Sequence, residues 1–317
     1  MGNNLRAYQT TLAKTVMLSG IGVHSGSPVS ISIDPAGPNT GIVFRRRFAD
    51  GRTQDFPALA NHVGATDLCT IIGDPNGDHV ATIEHIMAAF SALGLDNVIV
   101  EIDGAEVPIM DGSARIFVEA IDEAGIQYHL AKRRYIRVKQ TTRVEIGGSW
   151  AEFTPHEGTR FEVTIDFDSP LIGRQSFEGE VTSDIFRQQL ANARTFGFMK
   201  DVERLWASGH ALGSSLDNSV VICDDHSVIN QGGLRFADEF VRHKTLDAVG
   251  DLALAGAQFI GCFRSYRGGH RLNSAALKAL IANPEAYEIV ESFEQRERVY
   301  PREFVAIAGQ TFAPWAN

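Results

Sequence analysis

A helix, a strand, a loop and a second helix follow one another twice along this chain, once in each half, and each time the first helix carries a histidine. In the first half a helix is expected over 82–93, with Thr82 as N-cap and Gly94 just past its end. The strand 97–102, the loop Pro108-Ile109-Met110-Asp111-Gly112 and a helix starting with Ser113 as N-cap and stopping at Gly125 complete the set. In the second half a long helix near 238–255, the strand 258–263, a glycine-rich loop bearing His270 and a helix through 272–281 repeat the order. Alternating Val29, Ile31 and Ile33, ended by Asp34-Pro35, and the segments 151–153 and 160–167 read as further strands. A duplicated order predicts an α+β chain of two similar domains, each a sheet with helices on one face. The basic run Lys132-Arg133-Arg134 is the expected junction, between domains 1–132 and 133–317.

A chain of 317 residues has room for two cores of ordinary size. With 44% hydrophobic and 21% charged residues it reads as a soluble globular protein. No apolar run approaches the roughly 20 residues that span a bilayer, and no apolar leader follows Met1, so cytoplasm is the expected location. A net charge of −10 argues against a nucleic-acid partner, whereas a small anionic substrate remains compatible if a few basic residues focus on one pocket. Oligomeric state is not encoded in any motif. Cys69, Cys223 and Cys262 lie far apart with no C-x-x-C pair, so a metal would have to be held by histidine and carboxylate. Between 198 and 216, Phe198, Val202, Leu205 and Trp206 recur at helical spacing before a return through Gly213-Ser214-Ser215. The segment is either an amphipathic helix covering the core or an insert whose apolar face lines a passage for a greasy substrate.

The helix around 240–251 sets His243, Asp247 and Asp251 four residues apart on one face. A histidine and a carboxylate at i and i+4 have the reach to hold one divalent ion, although the same spacing also serves as a plain polar contact. Catalytic zinc sites take three protein ligands and leave a position open for water. His85, in the first turn of its helix, is the best third ligand, and Glu84 beside it then has the chemistry of a general base. His270 titrates near neutrality and suits a general acid, with Asp251 able to raise its pKa and fix its ring. Thr195 offers a hydroxyl to a developing oxyanion, and Lys244, about 100° round the helix from the metal face, offers a cation to a phosphate. Each of these has an ordinary structural alternative when taken alone. His24 sits in the glycine-rich stretch Ser19-Gly20-Ile21-Gly22-Val23-His24-Ser25-Gly26, which lacks the strand–turn–helix setting of a dinucleotide fingerprint.

That stretch, together with Thr82-Ile83-Glu84-His85, Pro108-Ile109-Met110-Asp111-Gly112-Ser113-Ala114, Arg194-Thr195-Phe196-Gly197, Ser215-Leu216-Asp217-Asn218, His243-Lys244-Thr245-Leu246-Asp247-Ala248-Val249-Gly250-Asp251 and Gly269-His270-Arg271-Leu272-Asn273, resembles the UDP-3-O-acyl-N-acetylglucosamine deacetylase family, zinc amidases of lipid A biosynthesis. Any one motif is weak; seven in order from about 12 to 281 are specific, while the last thirty or so residues carry none. The resemblance implies two α+β domains with their helices sandwiched between two outer sheets. It further implies Zn2+ held by His85, His243 and Asp247, Glu84 as general base, His270 as general acid with Asp251 as its partner, and Thr195 polarising the amide. Lys244 would meet the substrate phosphate, and Phe196, Phe198 and the insert the glucosamine face and the acyl chain. The implied partner is an acylated UDP-sugar, with transient contact with membrane lipids. A non-enzymatic protein that binds such a sugar nucleotide around a structural metal is the competing expectation, which a closed four-ligand site would favour.

Overall fold

In a computed structural model of the chain, residues 6–291 are described. Period-two patterning builds the first sheet: in the strand Pro28–Pro35, Val29, Ile31 and Ile33 are buried while Ser30, Ser32 and Asp34 are half-exposed on the other face. This sheet has five strands in the order Val16–Ile21, Pro28–Pro35, Val98–Ile102, Ile42–Arg47 and Thr53–Pro57, with Ile42–Arg47 parallel to Val98–Ile102 and the other neighbours antiparallel. A seven-stranded sheet is formed by later residues, and Gln258–Tyr266 is its hub. The first three residues of that strand pair in parallel with Arg134–Val138, and the rest is flanked by Ser149–Thr154 on an antiparallel ladder and Thr159–Asp166 on a parallel one. Every strand of the five-stranded sheet precedes Lys132, and every strand of the seven-stranded sheet follows it.

Six α-helices are found among the described residues: α1 (Glu84–Leu93), α2 (Arg115–Ala124), the single turn α3 (Ser183–Ile185), α4 (Met199–Ala207), α5 (Glu239–Leu252) and α6 (His270–Ile281). α1 packs on α5; α2 touches Val16–Ile21 of the first sheet, α5 lies on Thr159–Asp166 and Arg174–Glu180 of the second, and α6 on Thr142–Ile146 and Ser149–Thr154. The helices α1, α2, α5 and α6 thus form the layer between two outer sheets. One contiguous core joins Ile31, Phe44 and Val100 from the first sheet to Phe90 of α1, Leu246 of α5 and Phe153 and Phe161 from the second. Each such side chain contributes roughly 1.5–3 kcal/mol by leaving water.

Several local expectations need correcting. Thr82 does not cap α1: its backbone is left-handed (φ 57°), Ile83 occupies the capping position, and the Thr82 hydroxyl donates instead to Glu106 at 2.9 Å. α2 starts one residue late, because Ser113 accepts only the Arg115 amide at 3.2 Å and Ala114 is the N-cap. Gly94 and Gly125 do close their helices, with φ of 72° and 76°. His270 is the first residue of α6 rather than part of the loop before it. In the insert, Phe196–Phe198 is a short strand paired in parallel with Val220–Ile222, so the helix begins only at Met199. No residue of that helix is buried, and Met199 and Trp206 are exposed, so it does not cover the core.

Candidate metal centre

α5 explains why so many polar residues can sit on one helix without solvent. Glu239, His243, Asp247 and Asp251 form a single stripe at four-residue spacing, and all four are buried. At the N-terminal end, Glu239 accepts from the Arg194 amide at 3.0 Å, from Arg194 Nε at 2.9 Å and Nη2 at 3.1 Å, and from the Arg235 amide at 2.6 Å. That clamp pins the segment 193–195 beside the helix, where the Ala193 carbonyl accepts from His243 Nδ1 at 3.0 Å. With its proton on Nδ1, His243 turns a lone pair at Nε2 into the site.

His85 comes to the same place from α1, because α1 and α5 touch backbone to backbone. A Cβ at Gly250 would collide with the Glu84 carbonyl oxygen and lie 2.8 Å from its carbonyl carbon and 3.1 Å from the Ala88 amide. Only glycine permits that approach. The imidazoles of His85 and His243 then meet nearly at right angles (84°) with centroids 5.0 Å apart. Asp247 Oδ1 lies 3.5 Å from His85 Nε2 and 3.4 Å from His243 Nε2. Among the described residues these three are the group able to hold a metal ion, with one donor atom from each within 4.8 Å of the others.

The donor set fits such an ion. Asp247 Oδ1 is buried with no hydrogen-bond partner, an arrangement that is costly unless something else occupies its lone pair. Two imidazoles and a carboxylate oxygen are the kind of donor set that would hold a catalytic zinc-type ion and leave room for solvent or substrate beside it. Asp247 Oδ2 accepts from Lys244 Nζ at 2.8 Å. Lys244 therefore does not point away from this face, as its position round the helix suggested; its flexible stem brings the ammonium back to it.

Around the trio the remaining residues form one chain of contacts. His270 Nδ1 donates to Asp251 Oδ2 at 2.9 Å, and its Nε2 faces Glu84 Oε1 at 3.8 Å and Asp247 Oδ2 at 3.9 Å. Asp251 also accepts from Asn273 Nδ2 at 2.8 Å and from the Thr70 hydroxyl at 2.6 Å. Burial pushes the Glu84 carboxyl above the usual carboxylate range, against the pull of His270 and His85. Burial also brings His243 down to about 4, so it is neutral and free to ligate. For His270 burial works the same way, but Asp251 and Glu84 outweigh it and hold the imidazole up at about 9. In Asp247 the burial penalty is overcome by His243 and Lys244, which keep the carboxyl well below its ordinary value.

Thr195 lies two residues beyond Ala193, its amide donating to Gly112 at 2.8 Å and its carbonyl accepting from Val220 at 2.8 Å. Phe196 packs edge-on against Phe240 (4.9 Å) and reaches 6.3 Å from the His243 ring, while Phe198 stands farther out, 6.2 Å from Phe167 and beneath the Lys200 ammonium at 5.2 Å. Three organising residues escaped the sequence reading. Glu239 continues the very stripe that revealed His243 and Asp247, so its spacing was a usable signal. Glu106 holds the glycine-rich stretch down by accepting from the amides of His24 and Ser25 at 2.9 Å, and Thr70 ties Glu84 to Asp251; neither has a local pattern. His210 sets its ring edge-on to that of His24, with centroids 5.6 Å apart.

Comparison with known proteins extends this picture along the chain. Residues 9–282 match the family described as UDP-3-O-acyl N-acetylglycosamine deacetylase. Proteins named UDP-3-O-acyl-N-acetylglucosamine deacetylase from Brucella ovis and Brucella abortus (strain 2308) are 59% identical to it over 291 residues, covering 91% of this chain and 100% of theirs. The one from Brucella melitensis biotype 2 is 58% identical over the same span. A match spanning the whole first sheet, most of the second and every helix that lines the site leaves one assignment: the chain belongs to the UDP-3-O-acyl N-acetylglycosamine deacetylase family.

Proposed function

We propose that this protein hydrolyses the acetamide of UDP-3-O-acyl-N-acetylglucosamine, releasing acetate and the free amine, in lipid A biosynthesis in the cytoplasm. The observation that carries the reading is the meeting of Glu84 Oε1 and His270 Nε2, 3.8 Å apart, beside the buried His85, His243 and Asp247 in a chain of this family. We assign the ion as zinc, because two imidazoles, one carboxylate and an open fourth position suit it. When bound, that ion supplies Lewis acidity to the amide carbonyl and to an adjacent water.

The chain's own residues do the rest. Glu84 Oε1 accepts a proton from the water that attacks the carbonyl carbon, and the Thr195 hydroxyl donates to the carbonyl oxygen as it gains charge. His270, protonated at Nε2 and steadied at Nδ1 by Asp251, gives its proton to the nitrogen as the C–N bond breaks. Lys244 screens Asp247 and presents positive charge to the anionic nucleotide, and Phe196 and Phe198 border the sugar and acyl chain. Domains 1–132 and 133–317 then contribute one histidine ligand each. No helix among the described residues is long and apolar enough to cross a membrane.

The test is acetate release from the acylated UDP-sugar with metal content measured alongside. Release that a chelator abolishes and zinc restores is expected. A protein that binds the substrate but releases no acetate with metal loaded overturns the reading in favour of a binding protein.

A further inference from the structure

We infer that Thr70 is a positioning residue that holds the base and the acid of the proposed reaction at a fixed separation. The inference rests on the deacetylase reading and adds a residue that none of the motifs contains. Thr70 is 1% exposed and immediately precedes the short strand Ile71–Gly73. Its amide donates to Glu84 Oε2 at 3.1 Å, and its hydroxyl donates to Asp251 Oδ1 at 2.6 Å. Each contact uses the oxygen that faces away from the reacting centre, which leaves Glu84 Oε1 and, through Asp251 Oδ2, the His270 ring directed inward. One residue thereby joins the Glu84 side chain of α1 to the Asp251 side chain of α5 and, through Asp251, to His270 of α6.

The chemistry explains why such a link matters. Glu84 must accept a proton from the attacking water and His270 deliver one to the nitrogen bonded to the same carbon, so their spacing, 3.8 Å between Oε1 and Nε2, sets whether both groups reach the reacting atoms together. Without the Thr70 hydroxyl, Asp251 Oδ1 is a buried acceptor lacking its donor, and the carboxylate turns to recover one. Asp251 then carries His270 with it, while the metal trio, which Thr70 does not touch, stays in place.

Thr70→Val removes the hydroxyl at nearly constant volume, and Thr70→Ser keeps it. With the wild-type chain releasing acetate, Thr70→Val is expected to lower kcat by about tenfold or more with KM within about twofold, since a shift of about 1 Å costs up to about a hundredfold. Metal content should be unchanged and Thr70→Ser should recover most of the loss. In an Asp251→Asn background the same valine should cost less than about twofold, because the path runs through Asp251. In metal-free protein the His270 imidazole 15N signals should move in Thr70→Val and not in Thr70→Ser. Thr70→Ala serves in the same comparisons if the valine variant melts early. A folded Thr70→Val or Thr70→Ala enzyme with wild-type kcat, or one whose loss is undiminished in the Asp251→Asn background, overturns the inference. Absence of acetate release by the wild-type chain would overturn the deacetylase reading itself.

Discussion

Replacing Gly250 by alanine sets two effects of opposite sign against each other in the middle of α5. An alanine in a helix interior is favoured over glycine by about 1 kcal/mol, so on propensity alone the variant gains stability. Packing opposes it: the new Cβ would collide with the Glu84 carbonyl oxygen, with the carbonyl carbon at 2.8 Å and the Ala88 amide at 3.1 Å. All three neighbours are backbone, so relief requires α1 to move by about 1 Å, and overpacking of this kind costs about 1–3 kcal/mol. The net change in stability is therefore small to moderately unfavourable. The site is affected far more, because Glu84 and His85 are the first two residues of α1 and move with it. Metal donors hold their distances within about 0.2 Å, so an excursion five times larger weakens the ion at His85, His243 and Asp247. Expected are a loss in metal affinity of at least about tenfold by chelator competition and a fall in kcat of about a hundredfold even when zinc is saturating, since Glu84 is displaced too. A Gly250→Ala protein with a raised melting temperature, unaltered metal affinity and wild-type turnover would refute this reasoning.

Three further outcomes are expected. Glu239→Gln leaves the Arg194 guanidinium buried against a neutral group, and breaking such a pair costs about 3–5 kcal/mol; thermal unfolding reads the loss, and an unchanged midpoint would show that the clamp is not needed. Asp247→Asn removes the carboxylate charge beside the two imidazoles and should weaken metal binding by more than roughly a hundredfold, as even groups behind the ligands cost 10–100-fold; titration with a metal indicator decides it. Profiles of kcat/KM against pH should be bell-shaped: His270 must be protonated, so the alkaline limb falls as pH rises through about 9. Glu84 must be ionised, so the acid limb falls as pH drops through a value above the usual carboxylate range. His270→Gln should remove the alkaline limb, and its persistence would reassign it.

The readable parts of the chain are those where one element carries its own pattern. Val29, Ile31 and Ile33 alternate because one face of their strand is buried, and the α5 stripe repeats every four residues because one face of that helix lines the site. Gly94 and Gly125 announce helix ends because only glycine is at ease in the backbone they adopt. Errors arose where a distant residue competes for the local group. Thr82 has the side chain of an N-cap, yet Glu106, 24 residues on, takes its hydroxyl and turns its backbone left-handed. Phe198 sits at helical spacing from Val202, yet the ladder with Ile222 claims it for a strand. Thr70 illustrates the extreme: its two partners lie 14 and 181 residues away, so nothing beside it in the sequence marks it. His85 was reachable from its place in the first turn of its helix and from the motif order, but its meeting with His243 was not, because the contact between α1 and α5 depends on a glycine that looks like a blemish in a helix.

That contact also imposes a timetable on the protein's birth. His85 leaves the ribosome 158 residues ahead of His243 (243 − 85), which at about 5–20 residues per second is an interval of about 8–30 s. Throughout it, the apolar side of α1 has no α5 to rest on, and a passing ion meets a lone imidazole with no partner ligands. The group of His85, His243 and Asp247 is thereby assembled only once translation has delivered the second helix. A nascent chain that stalls in between would lack that group and would leave the apolar side of α1 uncovered.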